Sequence, residues 1–306
     1  MPVLPERYMH PEDERALANL RSIPLFTQCL QAFMKFMPER IMRGMSMAQK
    51  VRLGPDQLPD IYRYLPPACE KLGIPEPEFF LEMNPQPNAY TFGDQTVFIT
   101  VTSGLIEAME DREIQAVIAH ECGHIACHHV LYHSMATMLL QIGASIFGPV
   151  AAVSMPVQLG LLYWMRRSEL SADRASAVVM EGADEVVNVL TRLAGGPRSI
   201  TDKINIKLYI EQANEYDRLH ESQWDHLLMG FQVMGQDHPL TAVRAREILQ
   251  WCSGDDFTRL MRAEQDIVNT PVSGNAKKCL YCGYILQVDW VFCRQCGATV
   301  PEEPAI

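Results

Sequence analysis

Two histidines and a glutamate stand in the order H-E-x-x-H within "AVIAHECGHIACHH", residues 116–129: His120, Glu121 and His124. On a helix, residues four apart share a face, so His120 and His124 can offer two imidazoles to one ion. Glu121, beside His120, leans over the same point and can hold and deprotonate a water. Zinc lowers the pKa of such a water toward neutrality, within reach of a carboxylate base. The chemistry in view is hydrolysis by a metal-activated water. A catalytic zinc takes three protein ligands, and the motif supplies two.

A third ligand from the same segment would need the layout H-E-x-x-H-x-x-G-x-x-H. Cys127 and Val130 stand where that layout has its glycine and its last histidine, so it is absent. The candidate is "RRSELSADRAS" (166–176), where charged helical sequence resumes and Glu169 and Asp173 lie four apart on one face. Glu169 would ligate the metal. Asp173 would hydrogen-bond the other ring nitrogen of a ligand histidine and fix its tautomer. His128, His129 and His133 follow the motif and read as helix-surface residues or as neighbours of the ligands, not ligands themselves.

These side chains need a scaffold. Asp111 is the expected N-cap, with Glu113 in the first turn, of the helix that carries the motif. "TVFITV" (96–101) is β-branched and aromatic and reads as a strand, one whose edge would hold an extended peptide by strand addition. Residues 25–47 fit a helix that Pro38 interrupts, packed on the core or, in the sharper reading, lying on a membrane surface. Residues 57–72 read as helical, broken or restarted at Pro66-Pro67. The segment from Arg166 runs to about Leu193, where Ala194-Gly195-Gly196-Pro197 stops it, and further helices are expected over 201–220 and 239–251.

Here the chain resembles a family. H-E-x-x-H followed by E-x-x-x-D is the pattern of the HtpX-like and CAAX-processing-related gluzincin metallopeptidases. Residues 88–129, "NAYTFGDQTVFITVTSGLIEAMEDREIQAVIAHECGHIACHH", resemble that family throughout, and "DHPLTAVRAREI" (237–248) is similar to its His-Pro motif with an arginine six residues beyond the histidine. The resemblance covers roughly residues 55–250 and implies a zinc endopeptidase, with many relatives acting in quality control at membranes. By that resemblance His238 would stabilise the oxyanion and Arg244 would orient His238. The implied fold is mainly α with a small antiparallel sheet, an α+β gluzincin protease domain.

Residues 134–165 contain no charged side chain. Their length would suit one membrane crossing, but His120, His124 and Glu169 flank the stretch and must meet at one ion, so it crosses an even number of times or not at all. Pro149 and Pro156 divide it into short pieces. A buried or interfacial helical hairpin is the favoured reading and a membrane-inserted hairpin the alternative. The N-terminus lacks the charged-then-apolar layout of a signal peptide, so the expected location is cytoplasmic, peripheral to or embedded in a membrane through 134–165.

Near the C-terminus, "KCLYCGYILQVDWVFCRQCGATV" carries Cys279, Cys282, Cys293 and Cys296 as two C-x-x-C-G knuckles. Four thiolates so spaced can close tetrahedrally on a second, structural zinc, and the segment is similar to short zinc-ribbon modules. Cys29, Cys69, Cys122, Cys127 and Cys252 are scattered and read as buried thiols. The expected organisation is an N-terminal helical segment (1–54), a metallopeptidase domain (55–268), a linker (269–278) and a zinc ribbon (279–306). Of the 306 residues, 48% are apolar, which is globular composition, and the net charge of −11 argues against a nucleic-acid partner. The expected partner is a polypeptide bound in extended form, with a membrane or membrane-protein contact beside it. The competing class is a non-cleaving, zinc-stapled adaptor for unfolded or membrane proteins; Glu121 discriminates, because an adaptor has no use for a base beside the metal.

Overall fold

The computed structural model describes residues 2–24, 26–36, 39–94, 96–137, 155–218, 238 and 240–269. The chain divides into two compact units, Met1–Arg262 and Ala263–Ile306. Helices dominate, with one small sheet, as the sequence implies.

Helix α1 (Pro11–Ser22) opens on a proline at N1, and the His10 side chain accepts a hydrogen bond from Glu12 N. Helices α2 (Phe26–Phe36) and α3 (Glu39–Gln49) stand either side of Pro38, and β1 (Val51–Arg52) follows. Helices α4 (Pro59–Tyr62) and α5 (Leu65–Leu72) replace the expected 57–72 helix, with Pro66 and Pro67 in the first turn of α5, where a missing N–H costs nothing. Gly73, at φ +69°, ends α5 in the left-handed conformation.

Strands β2 (Glu78–Glu82), β3 (Ala89–Phe92) and β4 (Phe98–Thr102) join β1 in the order β1-β2-β4-β3. The sheet is mixed and not purely antiparallel. β3 and β4 form an antiparallel pair with Tyr90 opposite Thr100, and β4 then lies beside β2, with which it runs parallel in the register Glu78 to Phe98. A parallel pair needs a crossover and no tight turn; here residues 83–97, with β3 inside them, provide it. Every residue of β4 is buried, as befits an interior strand. The peptide-holding role expected of 96–101 therefore does not fit β4, whose two edges are both paired; the free edge nearest the site belongs to β3.

After α6 (Ser103–Ala108), capped by the Thr102 hydroxyl on Leu105 N, comes α7 (Asp111–Ala126). Its N-cap is Glu110, one residue before the expected Asp111, and Glu113 at N3 accepts from Glu110 N at 2.9 Å. Helix α8 (Met155–Met180) begins eleven residues before Arg166 and ends before α9 (Asp184–Gly195), so the segment running to Leu193 is two helices. α10 (Arg198–Thr201), α11 (Ile206–Arg218), α12 (Thr241–Cys252) and α13 (Asp255–Asn269) complete the described chain. Among the described residues no helix is long and apolar enough to cross a membrane; residues 138–154 of the uncharged stretch lie outside them.

α7 packs chiefly against α8. Their closeness has a cause in sequence: Gly123, between the two motif histidines, faces α8, and a Cβ there would meet Ala175 Cβ at 2.6 Å. Small residues on both helices let the backbones approach until side chains of α7 and α8 converge. α1 packs on the same long helix, around Leu20, Trp164 and Leu161.

Candidate metal centre

α7 presents His120, Glu121 and His124, and α8 presents Glu169 and Asp173; all five are buried. His120 Nε2 lies 3.2 Å from His124 Nε2 and 3.4 Å from Glu169 Oε2, and His124 Nε2 lies 3.3 Å from Glu169 Oε1. A tetrahedral zinc with bonds of 2.0–2.1 Å holds neighbouring ligand atoms about 3.3–3.4 Å apart. The three residues thus form a triangle with the spacing of such a site, His120 meeting Oε2 and His124 meeting Oε1 of Glu169. Two further observations fit an ion here. Glu169 Oε1 is buried without a hydrogen-bond partner, and so is Glu121 Oε1. Buried carboxylate oxygens of this kind need a cation or a water.

The remaining groups arrange themselves around that face. His120 Nδ1 is 3.0 Å from Asp173 Oδ1, so the bond expected of Asp173 goes to this histidine. Arg244, on α12, grips both Asp173 oxygens through Nε (2.8 Å) and Nη2 (2.6 Å), while its Nη1 lies 2.7 Å from Glu169 Oε2. His238 places Nδ1 2.9 Å from Glu169 Oε2, donates Nε2–H to Ala89 O at 3.0 Å, and stands 3.7 Å from Glu121 Oε1. Arg244 and His238 meet on Glu169 and not on each other, so the expected orienting of His238 by Arg244 runs through that shared carboxylate.

The electrostatics follow from burial opposed by partners. Burial alone would raise both carboxyl pKa values. Yet Asp173 is held at about 2 by Arg244 and His120, and Glu169 lies well below the usual carboxylate range because of Arg244, His238 and both motif histidines. Against its own burial, His238 is raised to about 10 by Glu169 and Glu121. His120 is raised, burial being outweighed by Asp173 and Glu169, whereas His124 is lowered, chiefly by burial.

Sequence reasoning missed Thr91. On β3 its hydroxyl donates to Glu121 Oε2 at 2.6 Å, fixing one oxygen of the carboxylate and leaving Oε1 without a partner. No spacing rule links a strand threonine to a helix glutamate 30 residues on. Beside the site lies a small cavity of about 30 Å³ with mostly apolar walls, including Leu105, Val117, Val189 and Leu190, which reaches Glu121 and His238. Cys279, Cys282, Cys293 and Cys296 lie outside the described residues; Cys69, Cys122 and Cys127 are buried thiols, and Cys29 and Cys252 are partly buried.

Comparison with known proteins places the chain in a family. The sequence profile of Peptidase family M48 matches residues 55–252. The chain is 35% identical over 260 residues, 83% of its own length and 75% of the relative's, to Plastoglobule-localized metallopeptidase 48, chloroplastic, of Arabidopsis thaliana. It is 27% identical over 128 residues to a Protease HtpX homolog of Pelotomaculum thermopropionicum, covering 41% of this chain and 43% of that one. A Protease HtpX homolog of a Sulfurovum species is 29% identical over 163 residues, 46% of this chain and 59% of the relative. No solved structure matches. With a family profile spanning well over half its length, the chain is a member of peptidase family M48, an HtpX-like metallopeptidase.

Proposed function

We propose that this metallopeptidase is a zinc endopeptidase in which His120, His124 and Glu169 hold the ion and Glu121 is the general base. The observation that carries the reading is the convergence of the two motif imidazoles, 3.2 Å apart, on the two oxygens of Glu169 at 3.4 and 3.3 Å, faced by a buried Glu121 oxygen with no partner. When bound, the ion supplies Lewis acidity to a water and to the scissile carbonyl. Glu121, anchored through Oε2 by Thr91, takes the water's proton on Oε1 and passes it to the leaving amine. His238, held beside Glu169, would turn its Nε2–H from Ala89 O toward the carbonyl oxygen as negative charge develops there, a contribution of a few kcal/mol when preorganised, on the order of 3. Arg244 acts by position, neutralising Asp173 and Glu169 and fixing their direction.

The substrate is a polypeptide in extended form, added along the outer edge of β3. The biological setting is protein quality control or processing at a membrane surface. The uncharged stretch 134–165 supports this, as does a relative named as localised to plastoglobules. The cysteines of residues 279–306 hold a second, structural zinc, in a module distinct from a protease domain at 55–268.

Glu121→Gln is the decisive variant. It should retain catalytic-site zinc and lose casein cleavage by at least about a hundredfold, the scale of general-base catalysis; normal cleavage would remove Glu121 from its role. Cys279→Ser should lower zinc content by one equivalent with cleavage retained. Washing membranes at high pH should release the protein, and retention would mean insertion.

A further inference from the structure

We propose that Asp13, on the N-terminal helix, is a positioning residue for the metal centre, fixing the ring of His124 through His129. The inference rests on His124 being a ligand and adds a residue from outside the stretch matched by the family profile.

His124 points Nε2 toward the ligand triangle, so its other nitrogen must be accounted for. Nδ1 lies 3.0 Å from Nδ1 of His129. His129 follows a turn in which His128 takes φ +59°, and its own N–H bonds His124 O at 2.9 Å. The opposite nitrogen of His129, Nε2, lies 2.9 Å from Asp13 Oδ2. The N–H points off that line, so the contact is mainly electrostatic. Asp13 is fully buried and is held by Trp164 Nε1–H at 2.9 Å on Oδ1 and by the Ser171 hydroxyl at 2.6 Å on Oδ2. Trp164 also packs edge-on against His129, with centroids 5.5 Å apart.

The proton count closes. With Nε2 of His124 turned to an ion, its proton resides on Nδ1 and is donated to Nδ1 of His129. That nitrogen is then the acceptor, so the proton of His129 lies on Nε2, the ring nitrogen 2.9 Å from the carboxylate. An anion at the far end favours this arrangement over the alternative tautomers, as a carboxylate does when it touches a ligand histidine directly. An acid in the first turn of a helix is ordinarily solvated. Burying one beneath the metal centre, against an imidazole, is costly without a role of this kind.

The bland reading is an anchor: Asp13 ties α1 to α8 through Trp164 and Ser171. The two separate on zinc affinity. The 306-residue chain, with Cys279→Ser and Cys282→Ser so that only the His/Glu site contributes, is titrated by chelator competition and its apo form is melted in parallel. Asp13→Asn keeps size and hydrogen-bonding capacity; it should weaken zinc binding about tenfold. His129→Gln should weaken it similarly, and the double variant should be no worse than the single ones. Leu20→Ala, a buried apolar truncation on the same helix, should lower the melting temperature and leave zinc affinity intact.

Undiminished affinity in Asp13→Asn, or a loss in Leu20→Ala that matches it for equal destabilisation, would overturn the relay. So would additive losses in the double variant. Loss of a full zinc equivalent in His133→Ala would also overturn it, placing an ion among His124, His129 and His133. Glu169→Gln serves as the reference. If it binds zinc like the parent, the ligand set itself is wrong; if it fails while Asp13→Asn does not, only the relay is wrong.

Discussion

The two motif histidines are neighbours on one helix, yet they are supported in different ways. His120 hands its second nitrogen straight to a carboxylate, Asp173, which Arg244 clamps with two hydrogen bonds. His124 reaches a carboxylate only through a second imidazole, and that carboxylate, Asp13, is clamped by neutral donors. The first arm is direct and its charges are cancelled by a guanidinium. The second is longer and crosses 158 residues of sequence between Asp13 and Ser171. The contrast shows in the histidines: His120 is raised, its burial outweighed by Asp173 and Glu169, whereas His124 is lowered, chiefly by its burial. The first arm should therefore be stronger and more sensitive to loss of its cation, the second weaker and more tolerant.

The largest effect should come from breaking the clamp of the direct arm. Arg244→Leu leaves Asp173 and Glu169 buried without their cation. Removing one partner of a buried ion pair costs about 3–5 kcal/mol, so thermal unfolding of the apo protein should show a loss of that size. A melting temperature equal to that of the parent would mean that water reaches these carboxylates and that the arm is not clamped by charge.

Asp173→Asn tests the same arm with less violence, keeping the shape and removing the anion. Zinc affinity should fall by about 10- to 100-fold, the range for carboxylates behind ligand histidines. Asp13→Asn, expected at the lower end of that range, should cost less. If Asp13→Asn costs more than Asp173→Asn, the ranking of the two arms is reversed.

The histidines and carboxylates of the direct arm were legible in the sequence, whereas the grip of Arg244 on Asp173 and the whole relayed arm were not, for a physical reason. Helical periodicity carries information across four residues, which is how His120 and His124, or Glu169 and Asp173, announce a shared face. Gly123 then lets the two helices meet, and a reader who expects a third ligand can find Glu169 from the resumption of charged helix. Asp13 offers no such signal. It sits in "PEDERA" among other acids, and it is buried only because Trp164 and Ser171, far along the chain, close over it. The fold followed the same division. Helices bounded by proline and glycine were visible, with ends shifted by a residue or more. The order of the strands was not, because β4 owes its interior place to pairing on both sides, which a run such as "TVFITV" does not encode.

Thr91 lies on neither arm, which makes it the finest test of the division between holding the ion and holding the base. Its hydroxyl touches Glu121 alone among the site's acids, at 2.6 Å, and neither motif histidine depends on it. Thr91→Val keeps the β-branched shape that β3 requires and removes one hydrogen bond to a carboxylate, worth about 1–2 kcal/mol. Part of that is recovered because Glu121 remains confined by α7, so kcat for peptide cleavage should fall about three- to tenfold. Zinc affinity should stay at the parent value, since the ligand triangle and both arms are intact. A matching fall in zinc affinity would show that base and ligands form one mechanical unit, and the two arms would then have to be described together with β3. An unchanged kcat would show that the helix alone aims Glu121, leaving the strand to hold substrate.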